Sequence, residues 1–163
     1  MTPQLQLQPN VFVEQLRASQ DFFTRSTRVL EEADSTFAPK EGMMTVAQQV
    51  AHSAQTLDWF VQGASRPEGF DLDFEAQAQQ MLAVTSLTAA RQMMDAGYAR
   101  AIEFFGSLTA EDLAKPLPAG PVMGGQPVSD ALWGMVEHTA HHRGALTVYS
   151  RLLGKVPVMP YFG

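Results

Sequence analysis

Apolar residues recur every three to four positions along four long stretches of this chain, and segments rich in proline and glycine separate them. That period fits the buried stripe of a helix, whereas a half-buried strand would alternate every second residue. The first stretch runs from about residue 11 to 33. Asn10, behind Pro9, is its expected N-cap, and Phe12, Leu16, Ser19, Phe23, Ser26 and Leu30 form its inner stripe. The second spans about 46 to 64. Thr45 and Gln48 make a capping box before it, and Val46, Val50, Leu57, Phe60 and Val61 are core candidates. The third begins near Phe74, capped by Asp71 or Asp73, and is expected to reach Phe105, with Gly97 as a point of weakness. Thr109 and Asp112 form a second capping box and predict a short helical turn to Leu113. The fourth long helix is expected from Asp130 to Leu153, with Ser129 as cap and Gly154 as stop.

Between the third and fourth stretches, KPLPAGPVMGGQP cannot continue a helix, and Gly124–Gly125 predicts a tight turn or hairpin. The tail KVPVMPYFG is extended and apolar, and its Met, Tyr and Phe are expected to pack on the bundle or on a partner subunit. No repeat, phosphate loop or run of strand-like alternation is present, so the reading is an all-α four-helix bundle, one domain over residues 1–163 with an extended C-terminal tail.

Charge and cysteine usage narrow the chemistry. A net charge of −6 without a basic cluster argues against nucleic acid as a partner. With no cysteine, disulfides, a protein thiolate and thiolate-bound metals are excluded. No apolar run reaches the roughly 20 residues of a membrane helix, and MTPQLQLQPN lacks the basic and apolar regions of a signal peptide, so a cytoplasmic protein is expected.

Nitrogen donors are concentrated in two places. His138 and His142 lie four apart on the last helix, a spacing that lets two imidazoles reach one ion. His141, three residues after His138, rivals His142 for that role. His52 on the second helix would complete a three-histidine site with open positions, the arrangement of catalytic centres. Zinc, nickel and ferrous iron all accept imidazole. The same spacing also fits a pair of surface histidines, and His52 could be a buried histidine bonded to a carbonyl. Four other side chains are candidates for outer contacts or substrate. His141 is one if it is not a ligand. Glu137 could orient His141 or form a surface pair with it, and Arg143 could hold helices together through a bidentate pair or bind an anion. Asp58 could approach the mouth of the site. Trp59 and Trp133 read as packing anchors, and Met43, Met44, Met93, Met94 and Met135 as core filler.

The stretch HTAHHRGALTVYSRLL at 138–153, followed by GKVPVMPY, resembles the last helix and tail of the DinB/YfiT-like superfamily of metal-dependent enzymes. The segment TVAQQVAHSAQTLDW, with His52, resembles that family's second helix. The resemblance covers nearly the whole chain and implies an up-down-down-up bundle with His52, His138 and His142 as ligands. It departs at Ala145, where the family often has Gln. It further implies one divalent ion and a small-molecule substrate. The leading expectation is a thiol-dependent transferase in which a low-molecular-weight thiol cosubstrate binds as thiolate. The alternatives are a metal-dependent hydrolase and a non-catalytic metal-binding stress-response protein. An apolar, Met-rich bundle is also expected to form a homodimer.

Overall fold

Thr45 Oγ1 accepts a hydrogen bond from Gln48 N while Gln48 Oε1 accepts one from Thr45 N, and this reciprocal cap starts a helix where the sequence places it. The computed structural model describes residues 8–161. Along them run α1 (Pro9–Thr27), a 3₁₀ turn (Glu32–Asp34), α2 (Val46–Ser65), α3 (Phe74–Leu82), α4 (Leu87–Ser107), α5 (Ala110–Ala114) and α6 (Asp130–Leu152). No sheet occurs among the described residues; one isolated antiparallel bridge joins Pro116 and Pro127. No helix among them is long and apolar enough to cross a membrane.

Side-chain contacts fix the direction of each long helix. Early α1 meets late α4, where the Phe12 and Phe105 rings stack 5.6 Å apart, and late α1 meets early α4, where Arg91 donates to Thr27 O. Those two helices are antiparallel. Helices α2 and α4 run parallel, with Gly97 beside Ala54 and Leu57, and Arg100 further along beside Asp58. Helix α6 is antiparallel to α2, pairing His142 with Gln49 and Gly134 with Phe60. The order is therefore up (α1), down (α2), down (α4), up (α6). Two consecutive parallel long helices need a crossover, and α3 lies within it.

Three boundaries depart from the sequence reading. Helix α1 starts at Pro9, with Gln8 at the cap position, so Asn10 lies inside the helix; proline suits the first turn because its missing N–H would have no partner there. It ends at Thr27, six residues short of Ala33. Arg91 from α4 satisfies the freed carbonyls of Thr27 and Leu30, and Leu30 folds into the core. The expected third helix is two, separated at 83–86. Ser86 caps α4 by accepting from Ala89 N, and Glu32 reaches from the 3₁₀ turn to accept from the Thr88 N–H and hydroxyl, both at 2.7 Å. A carboxylate at a helix N-terminus also opposes the helix dipole. Asp73, not Asp71, caps α3. Gly97 does not break α4; a Cβ there would stand 3.2 Å from Ala54 O, so its bareness lets α4 approach α2. Ser129 occupies the cap position of α6 but makes no side-chain cap bond.

The loop before α6 turns as expected. Gly125 has φ +81°, and Leu117 N donates to Gln126 O at 2.7 Å. In the tail, Tyr161 packs edge-on against Phe22 at 5.1 Å, and Met159 is exposed. Phe162 lies outside the described residues. Trp133, read as an anchor, is 71% exposed, and Met43 and Met93, read as core, are exposed too; Met94 and Met135 are buried. A buried hydroxyl chain crosses the core. Tyr98 donates to Ser19, Ser19 to Thr139, and Thr139 to Met135 O, so one proton per hydroxyl satisfies every member.

Candidate metal centre

On α2, Gln49, His52 and Thr56 follow an i, i+3, i+7 rhythm that puts them on one face, toward α6. On α6, His138 and His142 return that face at i, i+4. The three imidazoles meet across the seam, with ring centres 5.0 Å (His52–His138), 4.9 Å (His52–His142) and 4.5 Å (His138–His142) apart. One nitrogen from each falls in a group whose members all lie within 4.8 Å of one another, a spread that can hold one ion. The donor set suits a divalent first-row metal: three neutral nitrogens and no competing thiolate. His141, the rival, is exposed; its ring is 5.1 Å from that of His142, outside the group.

Burial keeps these rings uncharged. It is the largest cause for all three, and the neighbouring histidines add repulsion at His138 and His142. His138 is lowered to about 4 and His142 to about 3. His52 is lowered as well, against an opposing hydrogen bond with Gln55. At neutral pH each ring is uncharged, with a proton on one nitrogen and a lone pair on the other, the form a metal needs.

Each ring also has a polar partner from α2. Gln49 Oε1 bonds His142 Nδ1; among the described residues His142 Nε2 has no hydrogen-bond partner, and it is not fully sealed from solvent. Thr56 Oγ1 lies 3.1 Å from His138 Nε2 and donates to His52 O at 2.9 Å. Gln55 serves His52, and its own amide donates to Gln77 O at 2.9 Å. Sequence reasoning missed all three. Their signal was spacing: polar residues at −3, +3 and +4 from a candidate ligand, in a helix that also carries Gln48, Ser53, Asp58 and Gln62. Ala145 is half-buried, and the polar contact to His142 comes from Gln49 across the seam.

A cleft of about 250 Å³ opens beside His52 and His138. Its walls are Trp59, Phe60, Phe74, Gln55, Thr56, Gln77, Gly134 and Glu137. Gly134 has no Cβ because the Phe60 ring lies against it, 2.3 Å from where that atom would be. Trp59 is half-buried and donates to Asp71 O at 2.7 Å, so it forms cleft wall as well as packing. Glu137 is exposed, as the surface reading expects, and it also lines this cleft, where it is the only carboxylate among the described residues. Asp58 does not reach the mouth of the site. It makes a two-pronged pair with Arg100, at 2.6 and 2.7 Å, and borders a separate polar groove. Arg143 forms no ion pair among the described residues; its guanidinium lies over the Phe22 and Tyr161 rings, 5.7 and 6.0 Å from their centres, on the α1 side of α6.

A four-helix bundle with three histidines converging between two antiparallel helices defines the class of protein. The family model described as the DinB superfamily matches residues 15–146, and the chain belongs to that superfamily. Among solved structures it is similar to a DinB-like protein from Bacillus cereus ATCC 10987, at 19% identity and TM-score 0.73 over 92% of this chain and 96% of that one. It is also similar to YfiT from Bacillus subtilis, described as a probable metal-dependent hydrolase with an unusual four-helix bundle topology, at 16% identity and TM-score 0.70 over 95% and 94%. At such identities the likeness shows the fold. No curated protein sequence matches.

Proposed function

We propose that this chain is a metal-dependent hydrolase of small molecules, with His52, His138 and His142 holding one zinc, nickel or ferrous ion and Glu137 serving as general base. The observation that carries the reading is the convergence of three uncharged imidazoles beside a cleft with one carboxylate. A divalent ion bound there supplies Lewis acidity, which polarises a substrate oxygen and lowers the pKa of water. Glu137 would accept the proton from the attacking water and return it to the leaving group. Trp59, Phe60 and Phe74 offer an apolar wall for the substrate body, while Gln55 and Gln77 offer amide contacts that orient it. The description of YfiT as a probable metal-dependent hydrolase agrees with this reading. So does the cysteine count: a thiolate must come from a cosubstrate, whereas water reaches any open site.

The test is elemental analysis of untagged protein, followed by assays of zinc-, nickel- and iron-loaded samples on ester, amide and phosphoester panels. Turnover that falls about 10²- to 10⁴-fold in Glu137→Gln, with metal content kept, supports the assignment. Turnover that requires an added thiol, together with a thiolate band on the cobalt-substituted protein, would establish the transferase instead.

A further inference from the structure

The hydrogen bonds around His142 have only one consistent set of donors, and they form a chain. Tyr149 Oη lies 3.0 Å from Met44 O. A carbonyl can only accept, so the single phenol proton goes to Met44. Tyr149 must then accept from its other neighbour, which is Gln49 Nε2 at 3.3 Å. That contact turns the Gln49 amide so that its oxygen faces His142 Nδ1. An amide oxygen also only accepts, so Nδ1 carries the ring proton. The remaining nitrogen, Nε2, keeps its lone pair and has no hydrogen-bond partner among the described residues, on the ring that groups with His52 and His138.

We propose that Gln49 and Tyr149 are positioning residues that lock His142 in the Nδ1–H tautomer, so that Nε2 is presented to the metal before any metal arrives. The proposal rests on the metal-centre reading for its purpose, but the proton's location does not depend on that reading. The chain is built for rigidity. Gln49 and Tyr149 are buried, and the Tyr149 ring packs edge-on against Phe37 at 6.0 Å. Met44 O lies next to the Thr45 cap that starts α2, so the relay ends on backbone that is itself held in place. His138 is held differently. Its partner Thr56 gives its one proton to His52 O, so Thr56 Oγ1 accepts from His138 Nε2–H and leaves Nδ1 as the lone pair of that ring, with a single hydroxyl rather than a relay behind it. Reversing the Gln49 amide would place an N–H against Nδ1, move the ring proton to Nε2 and block the ligand atom. Tyr149 is what opposes that reversal.

Long-range proton–nitrogen correlation spectra of the histidine rings in metal-free, ¹⁵N-labelled protein read the tautomer directly. Cobalt titration of the same samples reads metal affinity. Wild type is expected to show His142 as Nδ1–H, its signals assigned by their absence in His142→Asn. Tyr149→Phe keeps the ring and removes the hydroxyl; it is expected to give a mixture of tautomers and a loss of cobalt affinity of about 10- to 100-fold. Gln49→Leu is expected to do the same. Gln49→Glu preserves an acceptor for Nδ1 and should keep both the tautomer and the affinity. A general loss of packing would not reproduce that rescue. Should Gln49→Leu fail to fold, the Tyr149→Phe and Gln49→Glu pair decides alone. A wild-type His142 protonated at Nε2 overturns the relay, as does an unchanged tautomer in Tyr149→Phe. Wild type that shows the Nδ1–H form but takes up no cobalt supports the relay and counts against the metal centre.

Discussion

Helix α2 has two buried faces about 100° apart, and they are made differently. Toward α4 it presents Val50, Ala54 and Leu57 against Met94 and Gly97, an apolar seam close enough that a Cβ at Gly97 would crowd Ala54 O. Toward α6 it presents Gln49, His52 and Thr56, each joined by hydrogen bond or ring contact to His138, His142 or Tyr149. The first face gains stability by removing apolar surface from water. The second spends conformational freedom on fixing three rings. One helix can do both because consecutive residues point in different directions, so a one-residue offset separates chemistry from packing.

The largest expected effect breaks only the second face. His142→Ala removes one of the three proposed ligands, and metal affinity should fall by more than the roughly 100-fold that loss of an outer partner costs. Elemental analysis of the purified variant measures it, and a melting temperature near that of metal-free wild type would show the packing face untouched. The converse is Leu57→Ala. Leu57 is fully buried in the apolar seam, so its truncation should cost about 2–5 kcal/mol by urea unfolding. The folded fraction should still bind metal one to one. Lost metal stoichiometry in folded Leu57→Ala would show that the two faces are coupled.

Acid should distinguish the faces without mutation. His138 and His142 are held to about 4 and about 3 in the folded protein, against 6.5 ordinarily, chiefly by burial. Below pH 6.5 the unfolded chain therefore binds protons that the folded chain refuses. Their contribution is fully present above 6.5, declines as pH falls, and is gone once the folded values are passed. Metal-free protein should lose stability from about pH 6.5 downward in chemical denaturation. The His138→Phe/His142→Phe double variant should have a flatter profile over the same window. Identical profiles would mean that burial does not hold these rings neutral.

The two faces were not equally legible in the sequence. The apolar one was open to view, because periodicity marks Val46, Val50, Leu57 and Phe60 directly, and the Thr45 and Thr109 capping boxes are local signals. The histidine triad was visible as spacing, and the DinB likeness ranked His142 above His141. What stayed hidden depended on partners far along the chain. Helix α1 ends at Thr27, where Arg91, more than 60 residues away, bonds the carbonyls of Thr27 and Leu30, and the expected third helix is split, α4 starting under a carboxylate from residue 32. The place of Glu137 at the cleft was hidden for a related reason. It is exposed on α6, as expected, but the cleft it lines has a far wall built by α2 and α3, which its own helix does not reveal. Trp133 was misjudged because size suggests burial, while position decides it.

The smallest effect tests where the chemical face ends. Asp58 follows Thr56 by two residues, and from sequence it could be placed at the mouth of the site. In the fold it points along the other seam, to Arg100 on α4. The pair has good two-pronged geometry, but Arg100 is about half exposed, so water and salt screen much of the attraction. Asp58→Asn should therefore cost only about 0.2–1 kcal/mol in denaturant unfolding, less at high ionic strength, and leave cobalt affinity unchanged. Glu137→Gln would be the matching change on the cleft side, with activity lost and stability kept. If Asp58→Asn instead weakened cobalt binding tenfold, the acidic groove bordering Asp58 and the histidine cleft would be one electrostatic unit. The division of α2 into a packing face and a chemical face would then fail at this residue. The shared wall of Gln55, Trp59 and Gln77 between the two recesses would be the place to look for the coupling.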